Sequence, residues 1–134
     1  MMASSTSALA RVGKLSGLRV LIAEDSWIHA DTLSVILESE GAIVVGPCST
    51  AADAIEHVGR EPIDFALLDM NLGGVFADDL ASTLSRHTIP YAIVTAYRSL
   101  PSNADAEAVG VLRKPINAKS ILDLLSRWSN ERSR

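Results

Sequence analysis

Short, nearly unbroken apolar runs alternate five times with segments of helical period along this chain, and that alternation narrows the accessible folds more than any other feature. Val20 to Ala23, Ile43 to Val45, Phe65 to Leu68, Ala92 to Val94 and Val109 to Leu112 are continuous rather than alternating, the pattern of strands covered on both faces. They predict a parallel sheet. Between them Ala51, Ala54, Ile55 and Val58 recur at helical spacing, as do Ala77, Leu80, Ala81 and Leu84, and Ile121, Leu124, Leu125 and Trp128. Ser26 to Glu40 supplies the first helix, with Ala30, Leu33, Ile36 and Leu37 on one side and Gly41 at its end. In Arg98 to Ala108, Pro101, Ser102 and Asn103 interrupt any apolar stripe, so a short or mobile fourth helix is expected there. Five strand-helix units in strict order imply right-handed crossovers and helices on both faces, a doubly wound α/β sandwich. Such sheets bind ligands at the carboxyl ends of their strands.

The 134 residues suffice for one core and not for two. The expected division is a flexible leader over residues 1–17, one domain over 18–130 and a short tail over 131–134. The leader is rich in Ser and Ala and lacks the apolar stretch of a signal peptide, which leaves an organelle-type presequence as the lesser alternative. No apolar run approaches the roughly 18 residues of a bilayer span, so a soluble, cytoplasmic protein with no membrane partner is expected. The net charge of -4 and the scattered basic residues argue against nucleic acid as a partner. Cys48, the single cysteine, cannot form an internal disulfide and reads as a small core or boundary residue. His29, His57 and His87 show no second ligand at metal spacing, which points to surface or boundary positions.

The chemistry gathers at the strand ends. Glu24 and Asp25 follow the first strand, Asp69 the third, Thr95 the fourth and Lys114 the fifth. Three carboxylates crowded together repel one another and raise their pKa values unless a cation sits among them, and hard oxygen ligands select Mg²⁺ or a similar ion such as Mn²⁺. Lys114 adds a fixed positive charge and Thr95 a hydroxyl, which together suit the oxygens of a phosphoryl group on one carboxylate. Asp69, ending the central strand, is best placed to be that carboxylate and the nucleophile, with the metal bridging it to Asp25. Taken singly, Glu24 or Thr95 would read as a cap or loop former. Four strands that each end in a group phosphoryl transfer needs carry the argument jointly.

With those residues in place, the sequence resembles the receiver domains of two-component response regulators. The resemblance runs from about Arg19 to Trp128 through VLIAEDS (20 to 26), FALLDMNLGG (65 to 74), IVTAY (93 to 97) and VLRKP (111 to 115). It implies a flavodoxin-like fold of strand order 2-1-3-4-5 with five helices in three α/β/α layers. Glu24 and Asp25 then match the acidic pair, Asp69 the phospho-acceptor, Thr95 the switch hydroxyl and Lys114 the lysine that contacts the phosphoryl group. By the same resemblance the Asn71 backbone carbonyl is a metal ligand and the Lys114-Pro115 bond is cis, a state of only about 5–6% of X-Pro bonds.

Two departures from the family stand out. Gly73 and Gly74 replace a proline and a variable residue after Asp69, which predicts a more pliant loop. Val111 stands where the switch aromatic is usual, and the nearest substitute is Tyr97, two residues after Thr95. Pro90 to Tyr97, VVGP (44 to 47) and DMNLGG are similar to a subgroup of stand-alone receivers named FAT GUY. Trp27 either leans over the acidic pair or caps the first helix.

The expected function is phosphoryl reception from a sensor histidine kinase or phosphotransfer protein. The domain would catalyse its own phosphorylation and dephosphorylation rather than turn over a substrate. Because the chain ends just after its last helix, it is expected to act without an output domain, by binding a downstream protein or draining phosphate from a shared kinase. The alternative is a receiver-like interaction module that is never phosphorylated. A phosphatase of similar topology would carry a second Asp where Asn71 stands, and a flavin carrier would need a Ser/Thr/Gly-rich loop after the first strand.

Overall fold

The computed structural model describes residues 15–72, 78–96 and 107–132. The elements run β1 (Arg19–Ala23), α1 (Trp27–Ser39), β2 (Ile43–Cys48), α2 (Ala51–Arg60), β3 (Phe65–Asp69), α3 (Asp78–Arg86), β4 (Tyr91–Thr95), β5 (Gly110–Arg113) and α4 (Ala118–Arg132). Polar caps start the helices where the sequence changes period. Ser26 Oγ accepts from the His29 N–H, Thr50 Oγ1 from the Asp53 N–H, and Asn117 Oδ1 from the Ser120 N–H.

All strand pairs are parallel, in the order β2-β1-β3-β4-β5. The pleat sends alternate residues of each central strand to opposite faces. Leu21, Ala66, Leu68 and Ile93 meet Ala54 and Val58 of α2 and Leu80 and Leu84 of α3. On the other face Val20, Ile22, Leu67 and Val94 meet Leu33 and Leu37 of α1 and Ile121 and Leu125 of α4. Three layers result, with helices covering both faces, and this is why the central strands read as unbroken apolar runs. Phe65 is fully buried, with its ring edge-on to Trp128 at a centroid distance of 4.8 Å.

The edge strands differ from expectation. β2 runs on through Gly46 and Pro47 to Cys48, and its pairing with β1 slips between Leu21 and Ala23. Gly46 adopts φ +93°, and a Cβ there would meet the Cys48 backbone nitrogen at 2.7 Å. As an edge strand, β2 leaves Ile43 exposed, so its apolar start is covered less fully than a continuous run implies. The expected leader also contributes to the core. Leu15 is buried, its N–H donates to the Glu40 carbonyl, and the Gly17 N–H donates to the Gly41 carbonyl. Four helices lie within the described residues, against the five expected; most of the segment assigned to the remaining one, Arg98 to Ala108, falls outside them. The Gly73-Gly74 loop also lies outside. No helix among the described residues is long and apolar enough to cross a membrane.

Candidate functional site

Sheet register brings the predicted site together. β1, β3, β4 and β5 lie side by side, with Ala23 abreast of Leu68, Asp69 abreast of Val94 and Thr95 abreast of Arg113. The residues one step beyond, Glu24 after β1 and Lys114 after β5, therefore reach the same edge as Asp69 and Thr95. The Lys114 ammonium lies 3.2 Å from Glu24 Oε1 and 3.6 Å from Asp69 Oδ2, linking the end of β5 to the ends of the mutually adjacent strands β1 and β3.

Each acid is held by its own loop. Glu24 is buried at 2% exposure; its N–H donates to the Cys48 carbonyl, its Oε2 accepts from the Ser26 N–H, and His29 Nδ1 stands 4.0 Å from that oxygen. Asp69 Oδ1 accepts from the Asn71 N–H at 3.2 Å. Asp25 is exposed at the rim. Asp25, Asp69, Asn71, Thr95, Ala96 and Lys114 line an open cleft of about 240 Å³, so the Asp69 carboxyl faces a space able to admit a small anionic group. The Lys114-Pro115 peptide is cis.

Charge in the site is unbalanced. Burial, and next the neighbouring Glu24 carboxyl, push Asp69 up from 3.8 to about 7, against the Asn71 N–H and the Lys114 ammonium, which pull it down. Glu24, Asp25 and Asp69 bring carboxylate oxygens within 4.8 Å of one another. Glu24 Oε1 is buried, and the Lys114 ammonium at 3.2 Å is its ion-pair partner. A donor set of clustered carboxylates with one lysine fits a hard divalent cation.

All the predicted site residues within the described segments converge: Glu24, Asp25, Asp69, Asn71, Thr95 and Lys114. Tyr97 lies outside the described residues. Val111 is half-buried opposite Ile93 and packs against the core. Trp27 is the first residue of α1 and 77% exposed. With Glu24, Asp25, Asp31, Ser34 and Pro47 it borders a groove of about 490 Å³ beside the acidic pair. His29, near Glu24, had no mark in the sequence beyond its place one turn into a helix.

Residues 20–126 match the response regulator receiver domain family. The chain belongs to that family. An uncharacterized response regulatory protein of Yersinia pestis is 32% identical over 117 residues, 85% of this receiver and 49% of the relative. Transcriptional regulatory protein PdtaR of Mycobacterium tuberculosis is 33% identical over 111 residues, 80% of this receiver and 53% of the relative. The chain thus spans about half the length of the curated relatives it matches. Among solved structures, a CheY-like receiver domain protein from Methanospirillum hungatei overlays with a TM-score of 0.78 at 27% identity, covering 88% of this receiver and 98% of that one. The receiver domain of a sensor histidine kinase from Pseudomonas aeruginosa, with magnesium coordinated in its active-site cleft, overlays at 0.73 with 20% identity, covering 84% and 98%, a likeness of fold.

Proposed function

We propose that this receiver takes a phosphoryl group from the phosphohistidine of a sensor histidine kinase or phosphotransfer protein onto Asp69, as one step of a cytoplasmic phosphorelay. The observation that carries the proposal is the Lys114 ammonium lying between Glu24 and Asp69 while the Asp69 carboxyl opens into the cleft. An Asp69 oxygen attacks phosphorus, the P–N bond breaks, and its electron pair leaves on the donor imidazole, which takes up a proton. Lys114 neutralises charge on the phosphoryl oxygens, and the Thr95 hydroxyl hydrogen-bonds one of them. Asp25, Asp69 and the Asn71 backbone carbonyl would hold Mg²⁺ or Mn²⁺, with Glu24 acting through water. When bound, the ion offsets the clustered negative charge and polarises the phosphoryl oxygens. Hydrolysis reverses the modification: water attacks phosphorus and the Asp69–phosphoryl bond breaks, returning the carboxylate.

The readout is a change in which downstream protein the surface binds, or removal of phosphate from a kinase shared with another regulator. Thr95 and Tyr97 form the proposed switch in place of the aromatic that Val111 lacks. Incubation with Mg²⁺ and a small acyl-phosphate donor tests the chemistry. Intact mass should rise by one phosphoryl group in wild type and not in Asp69→Asn. Equal labelling of both would move the acceptor elsewhere, and no labelling of wild type would favour an unphosphorylated interaction module.

A further inference from the structure

A second group of metal-ligating side chains lies at the end of β2, apart from the acidic site. Cys48, the last residue of β2, Asp53 in the first turn of α2 and His57 one turn later bring a thiol sulfur, a carboxylate oxygen and an imidazole nitrogen within 4.8 Å of one another. His57 Nε2 stands 4.0 Å from Asp53 Oδ1, while its Nδ1 is bonded at 2.5 Å to Glu61 Oε2 at the end of the same helix. Glu61 Oε2 is thus placed to accept from Nδ1. The other ring nitrogen, Nε2, is left on the side of Asp53. A carboxylate fixing one nitrogen of a histidine whose other nitrogen faces a ligand set is the usual arrangement behind a metal-bound imidazole.

We propose that Cys48, Asp53 and His57 form a site for a borderline-soft divalent cation of the Zn²⁺ type. The donor set separates it from the acidic site: sulfur and imidazole nitrogen suit zinc, whereas carboxylates and carbonyl oxygen suit magnesium. Thiolate and carboxylate together balance the charge of a dication. Tetrahedral zinc with bonds of about 2.0–2.3 Å separates its ligand atoms by roughly 3.5 Å. Closing from the observed spread needs about an ångström, within the reach of the half-exposed Asp53 side chain. Cys48 itself is buried, and burial with the Asp53 charge pushes its thiol up to about 12, so in the metal-free protein it is no ready nucleophile. Asp53 and partly exposed His57 leave the ion open to solvent, with a fourth position for water or an incoming ligand.

The test uses the full chain, reduced and saturated with Mg²⁺, titrated with Zn²⁺ by calorimetry and with Co²⁺ by absorbance. One equivalent should bind, and Co²⁺ should give a near-ultraviolet thiolate charge-transfer band with tetrahedral visible bands. Cys48→Ala should abolish the charge-transfer band. His57→Gln and Asp53→Asn, on the outer side of α2, should each weaken Zn²⁺ at least tenfold, and Asp25→Asn should leave it unchanged. Zn²⁺ binding that Asp25→Asn removes and His57→Gln spares would put the ion in the acidic site and overturn the proposal. Absence of the thiolate band, or of one-equivalent binding, would overturn it as well.

Discussion

The Lys114 backbone N–H donates to the Thr95 carbonyl at 2.7 Å, so the ends of β4 and β5 are tied at the point where their side chains turn toward the cleft. The bond runs through the backbone and survives substitution of either side chain. A change at Lys114 or Thr95 therefore alters the chemistry of the site while leaving the strand ends paired.

Lys114→Ala is expected to keep the fold and lose most of the reactivity. Removing one preorganised positive partner should slow phosphoryl transfer by about a hundredfold, the scale for losing one charge-stabilising donor. Thr95→Ala should label Asp69 closer to the wild-type rate. Timed intact-mass measurement with a small donor checks both, and equal slowing by the two changes would contradict the separate roles.

Protons and metal should compete at Asp69. Its folded pKa of about 7 lies above the ordinary 3.8, so the metal-free native state holds a proton that the unfolded chain has released. The resulting stabilisation is complete below pH 4 and is lost as pH rises through 7. Relative to Asp69→Asn, metal-free wild type should lose stability between about pH 4 and pH 7. Mg²⁺ needs the ionised carboxylate, so its apparent affinity should fall about tenfold from pH 8 to pH 6. Thermal melts with and without Mg²⁺ measure both effects. Asp25→Ala should blunt the rise in Tm with Mg²⁺ seen in wild type.

Phe65 at the start of β3 anchors the face that holds α1 and α4. Phe65→Ala removes a fully buried ring and its edge contact with Trp128, and should cost about 3–5 kcal/mol in urea denaturation. Trp128→Phe should cost less, since a ring still meets Phe65.

Signal output is expected through Tyr97 and the segment that follows it. Beryllofluoride, an acyl-phosphate mimic, should alter amide hydrogen exchange across Tyr97 to Ala108 in wild type. Tyr97→Ala should still be phosphorylated at Asp69 but lose that exchange response. A mutant that responds like wild type would reduce Tyr97 to a packing residue.

Particular residues show where sequence reading succeeds. Phe65 to Leu68 and Ala92 to Val94 lie on central strands buried on both faces, so one uninterrupted apolar run reported strand, direction and depth together. Asp69 was legible because it ends such a run, and neighbouring strand ends placed Thr95 and Lys114 beside it. Ile43 was harder to read, because an apolar start to an edge strand resembles one in the sheet's interior. Leu15 was missed since its burial depends on backbone bonds to Glu40 and Gly41, far along the chain. His57 was read as lacking a second ligand, although Asp53 stands four residues before it, one helical turn away. Their third partner, Cys48, sits across the turn from β2 into α2, and only the path of that turn brings its sulfur to them.

The two outer strands decide how the protein behaves at high concentration. An open sheet offers its margins to any other chain able to pair with them, the first step toward fibres. On one margin β2 carries Pro47, which has no N–H to give, beside Gly46 at a slipped register that breaks the ladder. On the other, β5 is only four residues long and closes on exposed Arg113. Neither margin gives a second copy a long regular template, so the irregularity in β2 also guards against aggregation.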